Sequence, residues 1–340
     1  MRVAVLSPVW FPVPPTGYGG IEWVVSLLAD GRADAGHDVT LFASGDSRTH
    51  AKLAWVYDEA PSSLIGQSFP ELRHALACFT RAADFDVIND HTGMVGETAG
   101  GLVDTPVLHT VHGPLETKAL EIYHGLAKLA PQVGLISLSM NQRKPGPELP
   151  WVANIPNALD LDDYPYHHEE QGEYLLYLGR MSPDKGAHRA IEIAKEAGVP
   201  IKLAGKKRER AEQDYFDEQV APLLGEDAEY VGETSHSTKV DLLQRARATL
   251  FPIDWEEPFG LVMIESMACG TPVIATRRGA VPEVVEEGRS GIIVDDYREM
   301  VGALAEADKL DPVECRRAVE EHFSAERMVA DYVAAYETVA

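Results

Sequence analysis

The sequence predicts an α/β protein of two domains, each a doubly wound parallel sheet, and three observations carry that prediction. Short apolar runs bounded by turn residues alternate with longer amphipathic stretches, as buried parallel strands alternate with their crossover helices. The alternation runs through "VAVLS", "HDVTLFAS", "FDVIND", "TPVLHTVH" and "GLISLS", then restarts at "EYLLYLGR". Between the two series, "NIPNALDLDDYPYHHEEQGE" has no apolar period and is dense in Asp, Glu, Pro and His, which suits a linker and hinge near residues 160 to 172.

Taken in order, the first strand leads through "PTGYGGIEW" into a helix with Ile21, Val24, Val25 and Leu28 at helical spacing. Leu72, Leu76 and Phe79 predict the apolar face of a later one. The second series continues with "HRAIEIAKEAG", "VPIKLAG", "AEYVGE", "ATLFPI", "TPVIATR" and "SGIIVDD". Within it, "FGLVMIESMACG" reads as a helix turning Leu261, Ile264 and Ala268 inward. A last helix, "FSAERMVADYVAAYETVA", carries an apolar stripe of Met328, Tyr332, Val333 and Tyr336.

Composition narrows the function. The 340 residues are 45% hydrophobic, enough for a sizeable core and longer than one core usually spans. With 54 acidic against 30 basic residues the net charge is -24, which repels nucleic-acid phosphate and anionic lipid. Cys78, Cys269 and Cys315 are odd in number and lack metal-ligand spacing, so reduced thiols in a cytoplasm are expected rather than disulfides or a zinc site. Neither a signal segment nor an apolar run of membrane-spanning length is evident.

Doubly wound sheets take ligands outside the carboxyl ends of their strands, so the chemistry is sought in the strand-to-helix loops. In the first loop, Gly17, Gly19 and Gly20 let backbone N–H groups approach an anion at a helix N-terminus. Glu22 stands where a dinucleotide fingerprint needs its third glycine, which argues against a nicotinamide cofactor. After the first strand of the second series, "LGRMSPDKG" places Arg180 and Lys185 ahead of a helix, a planar fork and a mobile point charge suited to a diphosphate. Glu257 lies in a loop and Glu265 in an apolar helix, where a carboxylate needs hydrogen bonds that ligand hydroxyls would supply. Eight residues of continuous helix would part them by about 12 Å, more than the roughly 5 to 10 Å of a glycosidase pair. His112 beside Gly113-Pro114, and His91 in "INDHTG", each end a strand of the first series, whereas His124, His167, His168 and His236 read as surface residues. "GKKRER" reads as a solvated helix start, from which Lys206 approaches phosphate only as a second option.

On these residues the sequence resembles the retaining nucleotide-sugar glycosyltransferases of family 4, within the group 1 glycosyl transferases. The resemblance rests on Gly19-Gly20, "GRMSPDKG" and "EPFGLVMIESMACGTPVIA", which holds the family's two glutamates with seven residues between them. It implies the GT-B fold, two facing Rossmann-like domains with a deep cleft between them. Residues 1–165 would bind the acceptor and 166–322 the nucleotide sugar, with 323–340 a helix crossing back to the first domain. Arg180 and Lys185 would take the donor diphosphate, Glu265 the ribose hydroxyls, and Glu257 the transferred sugar. The backbone of Phe259, Gly260 and Leu261 would line the same pocket. His112 would lie beside the donor sugar, Gly19-Gly20 would close over the phosphates, and His91 would face the acceptor.

The reaction implied is transfer to an acceptor hydroxyl with retained anomeric configuration. No metal or cofactor is expected, and departure and attack occur on one face with the leaving phosphate as base. Pro258 and Ala280 stand where family members commonly have glycine, which bears on how the donor sugar is oriented. The segment "AWVYDEAPSSLIGQSFPELRHALACF" is nearly neutral and offers no basic, aromatic membrane patch, so a natural-product or other small acceptor is preferred, as in antibiotic biosynthesis. A sugar-nucleotide epimerase or a non-catalytic nucleotide-sugar binder are the alternatives.

Overall fold

The computed structural model describes residues 1–17, 19–166 and 172–340. It divides into two compact units, Met1–Ala158 with Ala325–Ala340, and Leu159–Ser324.

The sheet of the first unit comprises β1 (Arg2–Leu6), β2 (Asp38–Phe42), β3 (Lys52–Ala54), β4 (Val87–Asp90), β5 (Val107–Thr110), β6 (Val133–Ser137) and β7 (Trp151–Asn154). Its helices are α1 (Gly20–Asp34), α2 (Ser68–Phe79), α3 (Met94–Gly100), α4 (Thr117–Leu129) and α5 (Met140–Arg143). The strands are all parallel, in the order β3-β2-β1-β4-β5-β6-β7. Val3 to Leu6 are fully buried, the pattern of a strand covered on both faces. Leu6 pairs with Phe42 on one side and Asp90 on the other, and Asp90 pairs with His109. The carboxyl ends of the central strands therefore lie level, and Asp90 and His109 share a face.

The second sheet comprises β8 (Tyr174–Leu178), β9 (Ile201–Ala204), β10 (Ala228–Gly232), β11 (Ala246–Phe251), β12 (Val273–Thr276) and β13 (Gly291–Val294), in the order β10-β9-β8-β11-β12-β13. Its helices are α6 (Ala187–Ala197), α7 (Arg210–Tyr215), α8 (His236–Gln244), α9 (Leu261–Ala268), α10 (Val281–Val284), α11 (Met300–Ala307) and α12 (Pro312–His322). The last helix, α13 (Ala325–Glu337), belongs to the first unit, where it packs along α1. The approach is close: a Cβ at Gly31 would stand 2.8 Å from Val329 Cγ2. Arg32, fully buried, lies 4.3 Å from the Tyr336 ring centroid.

Several details differ from the sequence reading. The units part at 158/159 and 324/325, not at 165 and 322, because residues just after Ala158 bond within the second unit. Leu159 N–H donates to Phe323 O at 3.0 Å, and a 3-10 turn forms at Leu161–Asp163. Arg316 in α12 then donates to the carbonyls of Leu161 (3.2 Å), Ala268 (2.8 Å) and Tyr164. This part of the expected linker is fixed structure; residues 167–171, with His167 and His168, lie outside the described residues. In α2 the buried face is Pro70, His74, Ala75, Cys78 and Phe79, while Leu72 and Leu76 are exposed together with Phe69. Phe79 packs inward as expected but the two leucines face out, so this segment is apolar at its surface though not basic. The three cysteines are free and buried.

Candidate functional site

In the second unit the sequence-predicted cations stand where β8 ends. The loops after β8 and β9 are zipped together: Gly179 N–H donates to Ala204 O and Met181 N–H to Lys206 O, both at 3.0 Å. A Cβ at Gly205 would fall 1.7 Å from Gly179 O, so glycine is required there. Arg180 lies half-buried beside Asp184 (3.5 Å) and Glu212 (4.0 Å). Glu212 closes a capping box on α7, its carboxylate accepting from Arg208 N–H at 2.8 Å and Glu209 N–H at 3.1 Å. Lys206 joins the same cluster, 3.4 Å from Glu212 and 3.1 Å from Glu209. Its side chain is only 6% exposed, which corrects the expectation of a solvated helix start: the ion pair with buried Glu212 draws it in.

Lys185 and Glu257 come directly together. Their side chains form an ion pair, and the Trp255 indole donates to the same Glu257 oxygen at 3.1 Å. The Lys185 ammonium sits 4.4 Å from the Trp255 ring centroid. The backbone holds Glu257 from the opposite side, since Ala280 N–H donates to Glu257 O at 2.8 Å and Gly279 N–H to the Glu256 carboxylate at 3.0 Å. Gly279 has φ 54°, and a Cβ there would lie 2.2 Å from Glu257 N. Ala280 is fully buried in this contact.

Phe259 is buried edge-on to Phe323, centroids 5.7 Å apart. Gly260, left-handed at φ 85°, caps α9, so Leu261 opens the helix and its first amides form the positive end of the helix dipole. Leu261 is half-buried, not inward-facing as expected, whereas Met263, Ile264, Met267 and Ala268 are buried. Glu265, in α9, accepts from Lys239 at 2.5 Å and from the Tyr164 hydroxyl at 2.8 Å. Burial first, then the neighbouring carboxylate, hold the Tyr164 phenol well above its ordinary range, so it stays a donor. Sequence reasoning missed Tyr164 and Lys239, which lie 101 and 26 residues from Glu265 and share no motif with it.

In the first unit, Gly19 (φ 150°) caps α1 and Gly20 opens it. A Cβ at Gly19 would meet Pro15 at 2.8 Å and the Glu22 carboxyl at 3.0 Å. Glu22 is buried, and that burial pushes its carboxyl up to about 7. At the carboxyl ends of β4 and β5, His109 Nδ1 lies 2.6 Å from Asp90 and its Nε2 3.3 Å from the Tyr123 hydroxyl. Burial pulls this imidazole down, but Asp90 outweighs burial and the net shift is upward. His112 is half-buried, with Nε2 2.8 Å from His91 Nδ1; burial and the His109 charge push it down to about 3. His91 was expected to face the acceptor. It is instead 2% exposed, with both ring nitrogens engaged, to His112 and, at 3.0 Å, to Asn89 Oδ1.

Two sequence-family models match, "Glycosyl transferases group 1" over residues 162–319 and "Glycosyltransferase Family 4" over residues 18–140. The chain belongs to the group 1 glycosyl transferases. Its two Rossmann-like sheets are those of the GT-B fold. This glycosyltransferase is similar to the phosphatidyl-myo-inositol mannosyltransferase of Mycolicibacterium smegmatis, 28% identical over 89% of this chain and 84% of that protein. The glycogen synthase of Mycobacterium tuberculosis is 25% identical, over 98% and 91% respectively. The crystal structure of AviGT4, a glycosyltransferase involved in avilamycin A biosynthesis, matches with TM-score 0.72 and 26% identity, covering 100% of this chain and 98% of that one. Among the described residues no helix is long and apolar enough to cross a membrane.

Proposed function

We propose that this glycosyltransferase moves a sugar from a nucleoside-diphosphate sugar to an acceptor hydroxyl with retention of anomeric configuration and without a metal ion or other cofactor. The observation that carries the reading is the ion pair of Lys185 with Glu257, with Arg180 on the same loop after β8 beside Asp184. Arg180 and Lys185 meet the diphosphate; with the amides that open α9 they offset charge developing on the leaving group. Glu265 accepts from the ribose hydroxyls. Glu257, Phe259, Gly260 and Leu261 serve the transferred sugar, as does His112, and Gly19-Gly20 contacts the phosphates. Departure and attack share one face, with the leaving phosphate as base. The acceptor is a saccharide or a natural product of antibiotic-type biosynthesis, in the cytoplasm.

A thermal-shift panel of UDP, GDP, ADP and dTDP sugars, followed by mass spectrometry and NMR of products from pooled acceptors, tests this. Retention is expected at the anomeric carbon, along with full activity in chelator. Inversion would overturn the stereochemistry, and loss in chelator with return on adding magnesium or manganese would overturn metal independence. Glu257→Gln should keep donor binding and lose turnover. Release of an epimerised sugar nucleotide without acceptor would identify an epimerase instead.

A further inference from the structure

The imidazole of His112 is one end of a hydrogen-bonded chain whose direction is set elsewhere in the first unit. Asn89, fully buried in β4, has its amide nitrogen 3.1 Å from the carbonyl of Leu108 and 3.3 Å from Thr110 Oγ1. A carbonyl only accepts, so the NH2 faces Leu108 and the amide cannot be flipped. Asn89 Oδ1 then accepts, from the Tyr336 hydroxyl at 2.6 Å and from His91 Nε2 at 3.0 Å. His91 Nε2 must carry a proton to make that bond. Burial holds His91 well below its ordinary range, so its other nitrogen is a bare acceptor. His112 Nε2, 2.8 Å from it, must donate. Neutral His112 thus keeps its proton on Nε2, and its Nδ1 is left as a lone pair with no hydrogen-bond partner among the described residues.

We infer that Asn89 is a positioning residue: acting through His91, it fixes the tautomer of His112 so that Nδ1 is always a hydrogen-bond acceptor. Thr110 and Tyr336 hold Asn89 in turn, and Thr110 is itself 3.1 Å from the Tyr332 hydroxyl, so α13 braces the relay at two points. A bare nitrogen accepts from a hydroxyl and repels a carboxylate or phosphate oxygen. His112 therefore selects a neutral sugar hydroxyl and disfavours a uronic acid whose carboxylate falls there. This selectivity rests on the proposed role of His112 at the donor sugar, whereas the tautomer does not.

Two-bond 1H–15N correlation spectra of the full chain labelled with 15N-histidine, free of ligand at pH 7, read the tautomers directly, with His91→Gln and His112→Gln as assignment controls. Both His91 and His112 should show protonated Nε2 and bare Nδ1. A proton on His112 Nδ1 would overturn the inference. Asn89→Leu should release the tautomer to a mixture. Tyr336→Phe, which removes one donor to Asn89 but not the His91 bond, should leave it unchanged and covers the case in which Asn89→Leu does not fold. In turnover, Asn89→Leu should lower kcat by about tenfold, the rate equivalent of one hydrogen bond, with the Kd for nucleoside diphosphate unchanged. A parallel loss of both would mark a merely structural residue. Correct tautomers with undiminished kcat would uphold the relay and remove His112 from the proposed reaction.

Discussion

Lys239→Met isolates what holds Glu265. The lysine ammonium and the glutamate carboxylate are 2.5 Å apart, with side chains 16% and 10% exposed. Removing one partner of a buried ion pair costs about 3 to 5 kcal/mol, because the remaining charge is stranded. Here the Tyr164 hydroxyl remains on the carboxylate at 2.8 Å and returns about 1 kcal/mol. The expected net loss is about 2 to 4 kcal/mol, a fall of roughly 5 to 15 °C in the midpoint of the second unit. Calorimetric unfolding of wild type, Lys239→Met, Glu265→Gln and the double variant measures the coupling. It should reach about 2 kcal/mol, since Glu265→Gln removes the charge that Lys239 neutralises. Nucleotide affinity should fall in both single variants. A coupling within about 0.5 kcal/mol of zero would show that the pair is an incidental surface contact and that Glu265 is positioned by something else.

Other expectations follow from the two loops and from the buried acid. Arg180→Ala should weaken nucleoside-diphosphate binding by about tenfold or more while leaving nucleoside binding unchanged, since a charge-assisted bond contributes about 1.5 to 3 kcal/mol; titration calorimetry compares them, and equal losses would place Arg180 away from the phosphates. Gly279→Ala forces a Cβ into the backbone of Glu257 and should lower both the unfolding midpoint and turnover; an unaffected kcat would detach that loop from the reaction. Glu22 favours the folded state fully below its unfolded value of 4.5 and loses that contribution as pH rises through about 7. Glu22→Gln should therefore gain stability over wild type as pH rises across that window, to a ceiling of about 3 kcal/mol, in unfolding curves from pH 4.5 to 8.5. A difference that does not change with pH would mean that Glu22 is hydrated.

Most of both sheets was legible because buried parallel strands are short apolar runs, and Val3–Leu6 or Leu175–Leu178 admit no other reading. The short edge strand Lys52–Ala54 has no such run, because an edge is half-buried. In α2 a stripe of leucines was mistaken for the buried face. Phe79 does pack inward as expected, but with His74, Ala75 and Cys78 rather than the leucines, and period alone does not choose between two adjacent stripes of one helix. Arg180, Lys185, Glu257 and Glu265 were legible because each sits in a local motif. The partners of Glu265 were not: Tyr164 and Lys239 reach it across 101 and 26 residues of chain, as Tyr336 reaches Asn89 across 247, and only the tertiary fold brings such donors to their acceptors. His91 was misread for a related reason, since ending a strand says nothing of which way the ring then turns.

The chain leaves the first unit at Ala158 and returns to it at Ala325. During synthesis, the whole of the second unit emerges before the helix that carries Tyr332 and Tyr336. Until then Asn89 Oδ1, Thr110 Oγ1 and the guanidinium face of Arg32 lack the ring and hydroxyls that meet them in the finished protein. The second unit has all of its own strands and helices by Ser324 and can complete its fold while the first is still waiting. A nascent chain held with α13 still inside the ribosomal exit tunnel would thus display a second sheet that is finished and a histidine pair that is not yet braced.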